Sequence, residues 1–325
     1  MRAVVLVGGM GTRLRPLTLS VPKQMLPIGG RPMIEHVVEH LAAHGVDEVV
    51  LALGFRPDAF LAAYPDGRCR GVKLRYAVEA EPLDTAGAVA FAAGEAGVDE
   101  TFVVCNGDVL TDLDVTELMA FHRRSAALAT ISLTPVEDPS AFGVVPTDGD
   151  GRVLAFIEKP RREEAPTNLI NGGTYVLEPE VLERIPPGRR VSIERETFPE
   201  LAATGRLYAL ASTASWLDAG TPATYLAANL RHAGDAPRPA GVDPAASVAG
   251  SVLAPDARVG PGARVERSVL MAGARVEAGA VVTDSLVGPG ALVGSGAAVT
   301  ELSVLGAGAE VAAGRRLRGA HLPES

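Results

Sequence analysis

Val4-Val5-Leu6-Val7-Gly8-Gly9-Met10-Gly11-Thr12-Arg13-Leu14-Arg15-Pro16-Leu17-Thr18, with Pro22-Lys23 close behind, is the stretch that decides the fold. A β-branched run that stops at glycine predicts a buried strand ending in a loop. Gly8, Gly9 and Gly11 let backbone N–H groups turn toward a ligand and clear side chains from its path. The cations Arg13, Arg15 and Lys23 follow at once, so the loop suits a polyphosphate. Two better-known phosphate loops do not fit. A dinucleotide fingerprint needs a third glycine where Leu14 stands, and a P-loop closes on Lys-Ser or Lys-Thr, absent here. An ordinary strand-to-helix turn is the remaining alternative.

Outward from this loop, apolar runs at 3–7, 48–53, 72–78, 101–105 and 127–134 predict strands. Amphipathic stretches at 32–44, 57–63, 85–93 and 114–124 predict helices between them. That alternation predicts an α/β domain of βαβ units around a mostly parallel sheet, with ligands at the carboxyl ends of the strands. Both the glycine loop and Asn106-Gly107-Asp108 directly follow a strand. Shorter strands are expected at 142–146, 153–157, 173–177 and 207–211, and Asp148-Gly149-Asp150-Gly151 reads as a hairpin turn because no later ligands complete a calcium loop. Residues 233–241 have the composition of a linker. Beyond it Val248, Val265, Val282 and Val299 recur every 17 residues, in units such as Val259-Gly260-Pro261-Gly262-Ala263-Arg264-Val265. Apolar steps five or six apart predict a three-faced β-solenoid, about four coils between 242 and 320.

Composition narrows the function. The 325 residues are 47% hydrophobic and 21% charged, ordinary for a globular chain of about two domains. No apolar stretch approaches a membrane span, and the N-terminal run is too short for a signal peptide. Two cysteines make no disulfide framework, so a cytoplasmic setting is expected. A net charge of −9 argues against nucleic-acid partners, yet local cations still serve an anionic substrate. Lysine occurs only at 23, 73 and 159, which draws attention to Lys23 and Lys159. His36, His40 and His44 share a helix face and read as packing rather than metal ligands. Cys105, in a predicted buried strand, reads as core. An acyltransferase in the solenoid is disfavoured, because 242–320 holds no histidine base.

The loop, followed in order by Glu81-Pro82-Leu83-Asp84-Thr85-Ala86-Gly87, Asn106-Gly107-Asp108, Phe142-Gly143-Val144-Val145, Glu158-Lys159-Pro160, Asn171-Gly172-Gly173, Ser192-Ile193-Glu194 and Trp216-Leu217-Asp218-Ala219-Gly220-Thr221-Pro222, resembles the sugar-1-phosphate nucleotidylyltransferases. Among these the sequence is most similar to the mannose-1-phosphate guanylyltransferases. The resemblance implies a Rossmann-like nucleotidyltransferase domain with a mostly parallel mixed sheet over 1–232. It also implies a linker at 233–241 and a left-handed parallel β-helix over 242–325 that serves a homo-oligomer, dimer or tetramer.

The implied reaction joins an NTP, GTP foremost, to a hexose 1-phosphate, mannose 1-phosphate foremost, and releases pyrophosphate. Thymidylyl, uridylyl or adenylyl transfer and a noncatalytic nucleotide-sugar-binding relative are the alternatives. By resemblance Arg13, Lys23 and Asp108 are catalytic, and Asp108 and Asp218 hold Mg²⁺. Gly8, Gly9, Gly11, Thr12, Arg13, Glu79, Pro82, Asp84, Thr85 and Gly107 would bind the nucleotide. Gly143, Glu158, Lys159, Asn171 and Gly173 would bind the sugar phosphate. An ionised Glu79 only accepts hydrogen bonds, which suits the adjacent N1–H and N2–H of guanine, although thymine and uracil also offer a donor. Asp84 departs from the family, which usually has glycine there, and puts the base in doubt.

Overall fold

The computed structural model describes residues 1–54, 57–234 and 238–323. Of the expected linker 233–241, the stretch 235–237 lies outside the described residues. The chain forms two compact units, Met1–Gly9 with Glu35–Trp216, and Met10–Ile34 with Leu217–Ser325.

The first unit is built on a mixed sheet. Its principal strands are β1 (Arg2–Leu6), β2 (Glu48–Leu53), β3 (Val72–Val78), β4 (Phe102–Asn106), β5 (Ala129–Pro135), β6 (Gly143–Val144), β7 (Ile157–Glu158), β8 (Leu169–Leu177) and β9 (Leu207–Ala211). The order across the sheet is β7-β6-β8-β4-β1-β2-β3, with β5 also on β8 and β9 on β5. The strands β4, β1, β2 and β3 run parallel, and β1 sits in the middle with Val4 opposite Val50 and Val104. Ala3, Val4 and Val5 are fully buried, as expected of a central parallel strand covered on both faces. The antiparallel strand β8 pairs with β4 and makes the sheet mixed.

Three helices of this unit are α2 (Pro57–Ala63), α3 (Asp84–Ala96) and α4 (Val115–Ser125), preceded by α1 (Met33–Ala43). The helix α3 buries Ala86, Val89, Ala92, Ala93 and Ala96, a stripe at helical spacing whose small side chains allow close approach to the sheet. Asp114 caps α4 by accepting the Glu117 N–H at 2.9 Å. Residues 148–151 form the expected turn: Asp148 Oδ1 accepts the N–H groups of Asp150 and Arg152, and its Oδ2 accepts from Arg152 Nε at 3.1 Å. The expected strand 153–157 is reduced to a bridge from Val153 to Thr147 and then β7, because the Val153 and Leu154 N–H groups turn to different partners, Leu207 and Pro146. The expected strand 173–177 starts earlier, at Leu169, with a break in register between Asn171 and Tyr175. Sequence periodicity misses that extension because the irregularity interrupts the alternation.

The second unit contains the solenoid. Its short strands stack into three parallel sheets, the arrangement expected of a left-handed β-helix. Val248 pairs with Val265, Val282 with Val265 and Val299, and Val299 with Leu317. The last step is 18 residues, and Glu301 and Leu302 both take left-handed φ at that corner, where earlier coils use one such residue, Arg267 or Asp284. Val265, Val282 and Val299 are fully buried. Ser268 and Ser285 are fully buried too, and the Ser268 hydroxyl accepts the Ser285 N–H at 3.1 Å while donating to the Glu266 carbonyl at 2.7 Å. In the same unit α6 (Pro222–Leu230), which follows α5 (Phe198–Ala203) in the chain, begins with a Thr221 capping box. The Asn229 side chain accepts the Gly29 N–H at 3.2 Å, and the Tyr225 hydroxyl donates to the Pro27 carbonyl. No helix among the described residues is long and apolar enough to cross a membrane.

The valine stack carries the solenoid's cohesion. Val282→Ala is expected to cost about 2 kcal/mol, from lost apolar burial and an incompletely filled cavity. Arg267→Ala, which removes an exposed pair with Asp284, is expected to cost much less. Urea unfolding of both variants checks this; equal losses would contradict it.

Candidate active site

In the first unit, the carboxyl ends of the parallel strands gather the motif residues. Gly8 and Gly54, just after β1 and β2, meet backbone to backbone: a Cβ on Gly54 would lie 3.3 Å from the Gly8 carbonyl oxygen and 3.8 Å from Glu79 Oε2. Glu79 itself is buried, and its Oε2 accepts the Leu83 N–H at 3.0 Å. Burial pushes its carboxyl above the ordinary range, with the Leu83 hydrogen bond opposing. Asp84 opens α3 with φ +61, its side chain is exposed, and its Oδ1 accepts the Thr85 N–H at 2.8 Å. The family's glycine at this position therefore has a backbone reason, and aspartate is one of the few residues that visits this conformation readily. The Thr85 hydroxyl donates to Glu194 at 2.7 Å and accepts the Ile193 N–H at 2.8 Å, so it fastens α3 to the Ser192-Ile193-Glu194 turn. Pro82 is exposed.

Gly107 donates its N–H to the Leu6 carbonyl at 2.9 Å, and an added Cβ would sit 2.6 Å from Val7 Cγ1. No larger residue fits, so Asp108 is delivered beside the end of β1. The thiol of buried Cys105 is pushed up to about 12, first by burial and then by Asp108, and is not a nucleophile at neutral pH. Asn171 donates to the Tyr175 hydroxyl at 2.9 Å and accepts the Gly173 N–H at 2.9 Å. Gly173 has φ +75, and a Cβ there would lie 2.7 Å from Asn106 Nδ2. The irregularity in β8 thus meets the Asn106-Gly107-Asp108 turn. On the neighbouring strands Gly143 pairs with Glu158, and a Cβ on Gly143 would strike Phe156 at 2.6 Å. Lys159 holds φ +47, with its ammonium 3.4 Å from Glu158 Oε1 and its side chain 60% exposed. Such a backbone conformation is costly for lysine and concentrates at functional sites. Trp216 stands edge-on to Phe142, with centroids 5.5 Å apart, and donates from Nε1 to the Gly172 carbonyl at 2.8 Å.

The second unit brings together the cations. Gly8 and Gly9 close the Met1–Gly9 segment of the first unit, and the rest of the glycine loop belongs to the second unit, with Thr12 exposed. Gly11 has φ +61, and a Cβ on it would strike Thr18 at 2.9 Å and Lys23 Cβ at 3.2 Å. The Thr18 hydroxyl donates to the Gly11 carbonyl at 2.8 Å. Arg13, 61% exposed, has its guanidinium 3.9 Å from Asp218 Oδ2, and Asp218 Oδ1 accepts the Gly220 N–H at 2.8 Å. A Cβ on Gly220 would lie 2.6 Å from that guanidinium. Asp108 belongs to the first unit and Asp218 to the second. Among the described residues there is no group of three or more His, Cys, Asp and Glu that could hold a metal. Single carboxylates nevertheless suit a hard divalent cation that takes most of its ligands from phosphate and water. His40 of α1 and His44, just past its end, are edge-on at 5.0 Å, and His44 meets Thr116 at 2.9 Å. Thr18, Phe142, Glu194, Trp216 and Gly220, all within the quoted motifs, also contact residues of those motifs, and Gly54 directly follows the run 48–53.

A nucleotidyl transferase family model matches residues 2–234, and a model described as the GMPPB C-terminal domain matches 238–323. The chain belongs to the nucleotidyl transferase family. A mannose-1-phosphate guanylyltransferase of Mycobacterium tuberculosis is 48% identical over 226 residues, 69% of this chain and 62% of that protein. Mannose-1-phosphate guanylyltransferase 1 of Arabidopsis thaliana is 44% identical over 230 residues, 70% of this chain and 63% of that protein. The chain thus spans under two thirds of the length of these relatives. Among solved structures, HddC from Yersinia pseudotuberculosis, also seen complexed with GMP-PN, matches with a TM-score of 0.62 at 30% identity. That match covers 71% of this chain and 98% of HddC. The family generally uses a divalent metal.

Two outcomes follow from the site's electrostatics and backbone. Because the folded carboxyl of Glu79 titrates above its unfolded value, its contribution to stability is full at low pH and is lost as pH rises through the raised value. Glu79→Gln, which keeps an acceptor for Leu83, should raise Tm more at about pH 8 than at about pH 4.5; a pH-independent difference in thermal melts would contradict this. Asp84→Gly should leave the preferred nucleotide unchanged, which a competition assay between nucleotides reads; a switch of base would contradict it.

Proposed function

We propose that the chain transfers GMP from GTP to mannose 1-phosphate, giving GDP-mannose and pyrophosphate. The carrying observation is the cation loop of the second unit, where Gly11 admits Thr18 and Lys23 at close range and Asp218 holds the Arg13 guanidinium. A glycine loop that presents a guanidinium and an ammonium suits the β- and γ-phosphates of a nucleotide. A phosphate oxygen of mannose 1-phosphate attacks the α-phosphorus, the bond to the β-phosphate bridging oxygen breaks, and pyrophosphate departs with that electron pair. Arg13 and Lys23 neutralise the departing charge. Lys159 meets the incoming sugar phosphate, and Glu158 with Asn171 accepts from or donates to sugar hydroxyls. Gly143 and Gly173 leave room for the hexose. Gly8, Gly9, Thr12, Pro82, Asp84, Thr85 and Gly107 shape the nucleotide's seat.

Asp108 and Asp218 are the residues that would hold Mg²⁺, which supplies charge neutralisation on the phosphates. Support for guanine comes from the names of the relatives and from Glu79, whose buried carboxylate keeps acceptor capacity beyond the Leu83 N–H. On this reading 1–232 is the catalytic domain and 242–325 an assembly module, in a cytoplasmic homo-oligomer.

Pyrophosphate release, measured with each of five NTPs against mannose, glucose and galactose 1-phosphates in Mg²⁺, tests the proposal. GTP with mannose 1-phosphate should give the highest kcat/KM, and Arg13→Ala should lower it on the order of 10²–10³-fold. No release from any pair would refute nucleotidyl transfer; a clear preference for another base would refute the guanylyl assignment.

A further inference from the structure

We propose that Gly306 of the β-helix is a positioning residue for the Gly11–Pro16 loop, so that the solenoid acts as a strut behind Arg13. The inference deepens the proposed function and rests on the phosphate role given there to the loop.

One corner of the β-helix repeats in every coil, at Ala254, Met271, Gly288 and Gly306. The N–H of each donates to the following coil, to the carbonyls of Leu270, Val287, Leu305 and Leu322, at 2.7–2.9 Å. The first two coils carry a side chain there, so this backbone position does not call for glycine. Nor does the conformation of Gly306, which lacks the left-handed φ seen at neighbouring Gly308, +66. Space makes the difference. A Cβ on Gly306 would lie 2.9 Å from Pro16 Cβ, 3.2 Å from Pro16 Cγ and 3.3 Å from Pro323 Cδ. These are atoms of rigid rings that cannot rotate aside, and packed interiors transmit such strain. Gly306 and Pro16 are both buried.

Pro16 is tied closely to the cation loop. The Gly11 carbonyl accepts the Leu14 N–H at 3.0 Å and the Thr18 hydroxyl at 2.8 Å; the Arg15 N–H donates to Thr12 at 3.2 Å, and the Leu19 N–H to Pro16 at 3.2 Å. Leu14 and Leu17 are buried while Arg13 is largely exposed. A segment so cross-linked moves as a piece, so displacing Pro16 displaces the guanidinium held against Asp218. Misplacing a positioned group by about 1 Å costs up to about 10²-fold in rate.

The test uses the full chain with Gly306→Val and Gly306→Ala, and Ala254→Val, the same corner three coils away, as control. Hydrogen exchange reads the loop without substrate; pyrophosphate release reads its use. Both Gly306 variants should exchange faster over 11–19 while 242–300 keeps its protection. They should lose about 10- to 100-fold in kcat/KM for GTP, with the KM for mannose 1-phosphate unchanged; Ala254→Val should match the parent in both. Should valine prevent folding, the alanine variant carries the same expectations at smaller size. Unchanged exchange over 11–19 in a folded Gly306 variant overturns the strut. Faster exchange with unchanged turnover keeps the contact but overturns the loop's phosphate role, and with it the positioning assignment.

Discussion

Backbone crowding at the carboxyl edge of the parallel strands is the constraint on which the rest of the site depends. The Gly107 N–H reaches the Leu6 carbonyl at 2.9 Å, and Gly54 meets Gly8 so closely that a methyl group would press on its carbonyl. Gly173 sits against the Asn106 amide in the same manner. Each contact leaves no room for a side chain at a strand end. Asp108 is placed by Gly107, and the strained Lys159 follows the Gly143–Glu158 pairing. A sheet of this kind provides chemistry at its edge because its interior, fully apolar along β1, has none to offer.

Charge is managed by the same economy of space in the second unit. Asp218 Oδ1 accepts the Gly220 N–H and its Oδ2 lies 3.9 Å from the Arg13 guanidinium, which in the proposed reaction would meet a polyanion. Pre-orientation of a cation acts where charge develops in a transition state and costs no reorganisation there. The exposed geometry of the Arg13 pair keeps its own stabilising effect small, leaving the guanidinium available to a stronger, more highly charged ligand.

Much of this was legible in the sequence because the decisive signals are local. The parallel strands, four helices and the 17-residue valine repeat follow from periodicity, and Gly8 and Gly11 of the loop mark close approaches. What stayed hidden is long-range. The sequence at Asp84 gives no sign of its left-handed φ or of its bond to the Thr85 N–H. Nor does the sequence show that the Thr85 hydroxyl lies between Ile193 and Glu194, more than a hundred residues away. The early start of β8 was masked by its irregularity at Asn171, and the extra residue at Glu301-Leu302 broke a repeat that composition alone presents as regular. Gly306, one glycine among many in a glycine-rich solenoid, gives no sign in sequence that its vacancy is filled by Pro16.

The proposed chemistry turns on Asp108 and Asp218 as the carboxylates that would hold a divalent ion. Electron paramagnetic resonance titration of Mn²⁺, in place of Mg²⁺, with saturating GTP measures this directly. One ion per chain should bind, and Asp108→Asn and Asp218→Asn should each weaken it by roughly tenfold or more. Binding as tight as the parent's in both variants would contradict the account.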